Sequence, residues 1–299
     1  MTVPQIDWSV YKTDQFWSTR CITDPVGRIL AVLAGQPNTR RYSGIVRRTY
    51  DAFKKAGAGL TSPKHRRGLY TAVTVGLSYG QGQEEPGYLS TNYPDSADEL
   101  LLNPDVQEMA DFANTMFQRW APRLYNHYDD YNRKIDDWDA KKDDSEPKLR
   151  RPFPKGVFAA AAFNCGPKVW TFKHRDMLNL PYGWCAVQAL GRFNPKRGGH
   201  LVFWDLKLVV EFPPGALILF PSATLLHSNI PVAEGEECAS FTQWSAGGLF
   251  RFVDNGFRTE AQFAAAEPKK FEAAMARKPK RWAQGVKLWS TINEIASIL

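Results

Sequence analysis

Between Val157 and Trp244 the chain is a succession of short apolar runs, "VFAAAAF", "WCAVQAL", "HLVFW", "KLVVEF", "ALILF" and "ASFTQW", punctuated by Gly, Pro, Asn and Asp. Runs this short are strand-length, and turn residues at this spacing fold the chain back on itself, so the segment reads as an all-β barrel or sandwich. The predicted core is a jelly roll, a double-stranded β-helix of the cupin-like kind, over residues 151–258.

The flanks follow a different period. After Asn103 and Pro104, a cap followed by a first-turn proline, Val106, Met109, Ala110, Ala113, Phe117 and Trp120 recur at helical spacing up to Pro122. A second helix is predicted from Arg123 to about Trp138. Ser43 is placed as the cap of an earlier helix over "GIVRRTYDAFKKAG", a basic face with Arg47, Arg48, Lys54 and Lys55. Before it, residues 1–44 read as an amphipathic opening with Trp8, Tyr11, Phe16 and Trp17, then a Gly/Pro/Asn loop. "LYTAVTVGLSYG" reads as a strand inside a Gly-, Pro- and Ser-rich loop.

The charged, proline-bearing stretch "DAKKDDSEPKLRRPFPKG" separates helical from β sequence and sets the main boundary. The expected class is therefore α+β with a mainly β core. Residues 1–150 form a helical, basic elaboration packing on it, and 259–299 a helical basic tail.

No run approaches the ~18 apolar residues of a membrane span, and the start lacks a charged region followed by an apolar one. An intracellular chain without a membrane segment is expected. The four cysteines, Cys21, Cys165, Cys185 and Cys238, never form a CxxC pair and read as small buried hydrophobes. A net charge of +7 favours an anionic partner such as nucleic acid, although excess charge also serves solubility.

Chemistry enters at "KHRDMLNLPYGWC". His174 and Asp176 form an HxD pair just before a buried strand, and His227 follows "PPGALILFPSATLL" 53 residues later. Two imidazoles and one carboxylate on one face of a metal leave the opposite face open, the ligand set of non-haem Fe(II) oxygenases. HxD alone also suits a salt-linked pair at a strand end. The later histidine, past a turn and a buried strand, tips the reading to a metal site. His65, in a basic loop, His127, in helical sequence, and His200, at the start of a strand, fit the pattern less well.

The stretch from about Arg67 to Phe257 resembles the fungal Tet/JBP-like 2-oxoglutarate and Fe(II)-dependent dioxygenases, transposon-associated and of basidiomycete type. The matching segments are "VFAAAAFNCGP", the run from "HRDMLNLPYGWC" to "LLHSN", and "SFTQWSAGGLFRFVDNGF". The resemblance implies oxidation of the methyl group of 5-methylcytosine or thymine in DNA, with Fe(II), 2-oxoglutarate and O2. It places His174, Asp176 and His227 on the catalytic metal-ligand positions. Asn179 falls where a polar residue contacts the target base, since an amide can both donate to and accept from a base edge. Asn164 in "FNCGP" is a second substrate-side candidate, or else a loop cap.

One departure stands out. The family's co-substrate arginine is expected after the second histidine, yet Glu237 and Cys238 occupy that run, with Ser240 at the hydroxyl position. Three explanations stand: Arg251 or Arg192 supplies the guanidinium fork that a carboxylate requires, a different co-substrate is used, or the copy has decayed; Arg251, with Ser240, is taken as the co-substrate candidate. Asp254 is a competing salt-bridge partner for Arg251.

Phosphate contacts are expected from Arg40, Arg41, Arg47, Arg48, Lys64, Arg66, Arg67, Lys196 and Arg197, each of which also reads as an ordinary solvated cation. Trp170, Phe172, Tyr182 and Trp184 offer stacking surfaces, with at least three expected in the core. "RKPKR" at 277–281 suggests nuclear localisation. The sequence reading is thus a monomeric nuclear dioxygenase acting on methylated DNA. Its rivals are a nucleic-acid-binding pseudoenzyme and a dioxygenase acting on RNA, protein or a small molecule.

Overall fold

The computed structural model describes residues 9–11, 18–37, 39–61, 67–143, 145 and 147–298, the first of these spans as backbone alone. Trp8, Phe16, Trp17, Lys64, His65 and Arg66, and the side chain of Tyr11, lie outside the described residues.

Strands β1 (Ser9–Tyr11), β2 (Arg20–Thr23) and β3 (Ile29–Gly35) precede helix α1 (Arg40–Gly57). Then come β4 (Thr71–Ser78), β5 (Gly87–Tyr88), α2 (Pro94–Leu102), α3 (Pro104–Trp120) and α4 (Pro122–Asp139). The β half follows as β6 (Ala160–Cys165), β7 (Cys185–Arg192), β8 (Leu201–Phe203), β9 (Leu208–Val210), β10 (Leu217–Phe220), β11 (His227–Asn229) and β12 (Glu237–Trp244). The chain closes with α5 (Gly247–Asp254), α6 (Glu260–Ala266), α7 (Pro268–Arg277), α8 (Arg281–Gly285) and α9 (Ile292–Ile298).

Two sheets form the core. The larger runs β2-β3-β10-β7-β12-β6-β4-β5 and the smaller β1-β9-β8-β11. Along the chain β7 belongs to the large sheet, β8 and β9 to the small, β10 to the large, β11 to the small and β12 to the large. That alternation is the expected double-stranded β-helix. Leu201, Phe203, Val210 and Phe212 meet Leu33, Ala189, Ile218 and Phe220 in a shared buried cluster. Phe203 and Phe220 lie edge to face at 5.1 Å; burying each ring is worth about 1.5–3 kcal/mol.

Helices cover the outer face of the large sheet. Phe53 of α1 is fully buried, with its ring 5.4 Å from Phe163 and 6.2 Å from Phe241. α3 begins as predicted, the Asn103 side chain accepting from the Asp105 and Val106 amides. α1 begins one turn earlier than predicted, because Thr39 rather than Ser43 supplies the capping oxygen, accepting from Tyr42 N at 3.1 Å.

The sheet does not divide at residue 150. β2, β3, β4 and β5 come from the segment expected to be a helical elaboration and are hydrogen-bonded into the large sheet, β3 beside β10 and β4 beside β6. "ILAVLAG" is not marked as a strand by the sequence because a continuous apolar run has no period of its own, and here, unlike in the β half, no series of similar runs at regular turn spacing flanks it. α2 lies in sequence to which no element was assigned. The tail is also tied in, with Val286, Trp289 and Ile295 buried in the main core and Arg28 bridging Thr291.

Candidate metal centre

His174 and Asp176 are positioned by backbone rather than by a long strand. His174 pairs with His227 of β11, each amide donating to the other's carbonyl at 2.9 and 3.0 Å, and Asp176 N donates to Ser222 O at 2.9 Å. These bonds draw residues half a hundred positions apart into one cluster, all three side chains 11% exposed or less. One ligand atom from each lies within 4.8 Å of the others.

The rings are oriented for coordination. His174 Nδ1 faces Phe172 O at 2.7 Å and His227 Nδ1 faces Leu225 O at 2.8 Å. A carbonyl can only accept, so each Nδ1 carries the proton and each Nε2 presents its lone pair to the shared space. His174 Nε2 is 3.7 Å from Asp176 Oδ1, and His227 Nε2 is 3.9 Å from Oδ2. Burial lowers the His227 pKa to about 4, against the opposing pull of Asp176, so the imidazole is neutral and ready to bind a metal.

Asp176 Oδ1 is buried with no hydrogen-bond partner, although the Arg67 guanidinium stands 2.8 Å away. The contact is one of charge rather than an aligned hydrogen bond, and it leaves the oxygen a lone pair for a cation. Two imidazoles and one carboxylate with a spare lone pair fit a divalent first-row metal of the Fe(II) kind.

Two neighbouring cavities adjoin at Arg67, Tyr70 and Asn164, and the inner one holds this cluster. The inner one, about 80 Å³, is lined by the three ligands together with Arg67, Asn164, Thr171, Asn229, Ser240 and Thr242. The outer one, about 410 Å³, shares Arg67, Tyr70 and Asn164 with it and adds Leu178, Asn179 and Trp244. Asn164 is therefore a pocket residue on β6 and not a loop cap; its Nδ2 donates to Ser240 Oγ at 2.9 Å. Ser240 lines the inner cavity, and with its oxygen accepting it keeps its own hydrogen to donate. Asn179 lines the outer cavity, its Nδ2 donating to Ser222 Oγ at 3.0 Å.

The arginine expectation is corrected. Arg251 lines neither cavity, and its Nε lies 3.7 Å from Glu260. Asp254, its expected partner, instead accepts from Tyr131 Oη at 2.6 Å. Arg192 pairs with Asp51, and Glu237 with Lys54. The guanidinium that reaches the metal ligands is Arg67, which the sequence reading had counted among the phosphate contacts. Its position 107 residues before His174 hid it, since its segment is brought alongside the site by tertiary contacts, Phe172 N donating to Arg67 O at 2.8 Å and β4 pairing with β6.

The expected basic face is largely spent on internal pairs: Arg41 with Glu108, Arg48 with Asp105, and Lys55 with Glu99. Of the stacking candidates, Trp184 is fully buried and Tyr182 half-buried against the core. Trp170 and Phe172 instead pack edge to face at 5.0 Å, with Phe172 exposed, so fewer of the four belong to the core than expected.

No family model matches the chain, and no curated protein matches it. Among solved structures, NgTET1 in complex with 5mC DNA aligns with 81% of this chain and 84% of its own, at 14% identity and a TM-score of 0.45. An oxidoreductase of the 2OG-Fe(II) oxygenase family from Burkholderia pseudomallei covers 64% and 76%, at 16% identity and a TM-score of 0.34. A Pseudomonas putida prolyl-4-hydroxylase covers 78% and 93%, at 15% identity and a TM-score of 0.33.

Proposed function

We propose that this chain is an Fe(II)- and 2-oxoglutarate-dependent dioxygenase that uses O2 to oxidise the methyl group of 5-methylcytosine, or of thymine, in DNA. The observation that carries the reading is the convergence of His174, Asp176, His227 and Arg67 on the inner cavity, with Arg67 also lining the outer one.

His174, Asp176 and His227 would hold the metal, with Nε2 of each histidine as donor. Fe(II) with bound 2-oxoglutarate and O2 supplies the oxidising power that replaces a methyl hydrogen by hydroxyl. Arg67 is the one lysine or arginine lining the inner cavity among the described residues, and its fork suits one carboxylate of the co-substrate. Asn229 Oδ1 accepts from Thr171 N and Oγ1, at 2.9 and 2.7 Å, which leaves its Nδ2 to donate. Together with the Ser240 hydroxyl it offers neutral donors to the other carboxylate.

A base in a duplex must leave the stack to reach such a centre. The outer cavity provides the volume, and Asn179, whose Nδ2 is engaged by Ser222, retains Oδ1 to accept from the exocyclic amino group of cytosine. Exposed Phe172, Met177 and Leu178 stand beside Lys173 and Arg175 in the same segment, a lip able to meet bases and phosphates together. A nuclear setting belongs to the same proposal.

The test is incubation with 5-methylcytosine DNA, Fe(II), ascorbate and 2-oxoglutarate, followed by mass spectrometry of the nucleosides. Oxidised cytosines that disappear with Asp176→Ala are expected. Succinate formed with no oxidised base, on DNA, would move the substrate to RNA, protein or a small molecule, and no turnover despite bound metal would leave a pseudoenzyme.

A further inference from the structure

A third cavity, of about 430 Å³, shares no lining residue with either of the two at the metal site. It lies among α4, the end of α5, α7 and α8, and its volume falls in the range of about 300–1,000 Å³ typical of small-molecule sites.

One side of it is cationic. Arg277 ends α7 and Arg281 opens α8, four residues apart across the 3-10 turn Lys278–Lys280, and both line the cavity. Neither has a carboxylate within ion-pair reach among the described residues, unlike Arg258 nearby, which pairs with Glu267. Two uncompensated guanidinium forks facing one concavity select a phosphate or carboxylate.

The rest of the lining is aromatic and polar. His127 stacks on Phe250 at 5.3 Å and meets Tyr182 Oη at 3.2 Å. Tyr182 is held from behind by Trp289 Nε1, which donates to its carbonyl at 2.8 Å, and by Gly285, where any Cβ would stand 2.1 Å from the ring. Burial pushes the Tyr182 phenol up to about 12, with Asp254 raising it further and Arg281 lowering it, which places both charges within range of this ring. Asp254 is an acceptor fixed by Tyr131. Asn255, 3% exposed, lines the cavity with its backbone groups engaged, yet its Nδ2 has no partner. A buried amide without a partner is unfavourable, and a ligand's acceptor would relieve it.

We propose that this cavity binds a nucleoside monophosphate, with Arg277 and Arg281 on the phosphate, the His127–Tyr182 wall against the base, and Asp254 and Asn255 on an amino-bearing base edge. A ligand with an anionic end, a planar middle and an end that both donates and accepts hydrogen bonds matches the cavity's three chemistries in one molecule. The site is separate from the metal centre and does not depend on its assignment.

The test is isothermal titration calorimetry of the full chain with AMP, adenosine and inorganic phosphate. AMP is expected to bind more tightly than either fragment, and the Arg277→Ala/Arg281→Ala double variant to weaken it at least tenfold. These side chains are exposed and half-buried, so an unchanged melting temperature and retained metal binding separate loss of the site from loss of fold. A 5′-phosphorylated single strand that binds with the same arginine dependence, and that AMP displaces, would support the site and identify a strand-borne phosphate as its source. AMP binding that is absent, unaltered in the double variant, or matched by phosphate alone overturns the proposal. Asn255→Ala, expected to weaken AMP but not phosphate, checks the base end by itself.

Discussion

The Arg67 guanidinium stands 2.8 Å from Asp176 Oδ1, on the carboxylate whose Oδ2 faces His227 at 3.9 Å. An arginine from the segment leading into β4 and an aspartate from the segment before β7 thus share one charge cluster at the mouth of the inner cavity. The Coulomb attraction holds the fork in place before any co-substrate arrives.

Arg67→Lys keeps the charge and loses the fork. A hydrogen bond to a charged group is worth about 1.5–3 kcal/mol, so the KM for 2-oxoglutarate should rise roughly 10- to 100-fold. Initial-rate kinetics check this, and Fe(II) binding should survive the change.

His174→Ala and His227→Ala each remove a donor with no substitute among the described residues. Anaerobic Fe(II) titration should show losses beyond the roughly 10–100-fold that outer-shell changes cost. Binding that persists in both variants would falsify the site.

Asn179→Ala leaves the metal and the inner cavity intact but removes the acceptor assigned to the cytosine amino group. The kcat/KM on 5-methylcytosine DNA should fall about tenfold, near the ~1.4 kcal/mol of one hydrogen bond, while uncoupled 2-oxoglutarate turnover is preserved. Comparing base product with succinate separates the two.

The tail is latched by an ion pair. Glu294 accepts from Arg123 Nη1 at 2.6 Å and from Thr291 N at 2.7 Å, and these contacts lower its pKa from 4.5 to about 2. A depressed carboxylate stabilises the fold fully above its unfolded pKa and loses that contribution as pH falls through the folded value. The protection factors of the α9 amides, intrinsic exchange rates divided by those observed at each pH, should therefore fall between pH 4.5 and about 2, and Glu294→Gln should flatten that dependence.

Phe53→Ala should destabilise the fold by about 3–5 kcal/mol, because the ring fills the contact between α1 and the large sheet and neither side can close the gap. Denaturant unfolding measures it, with the slope unchanged if the transition stays two-state.

Much of this architecture was legible in the chain. Turn residues between short apolar runs marked the β half, and Asn103–Pro104 marked α3, because both signals are local. The strand Ile29–Gly35 was not, since a continuous apolar run carries no period, and with it went the understanding that the large sheet begins near the N-terminus. Arg251 looked suitable because it lies in a matching segment, yet Glu260 holds it on a helix away from both cavities.

The chain's local signals already singled out His174, Asp176 and His227 and the class of the core: HxD spacing, a later histidine past a buried strand, and turn punctuation can be read without coordinates. Which arginine stands beside them could not be read that way, because an ion pair between residues 67 and 176 depends on the order of strands in a sheet. Strand order is set by burial over the whole molecule, a sum that no short stretch of chain records.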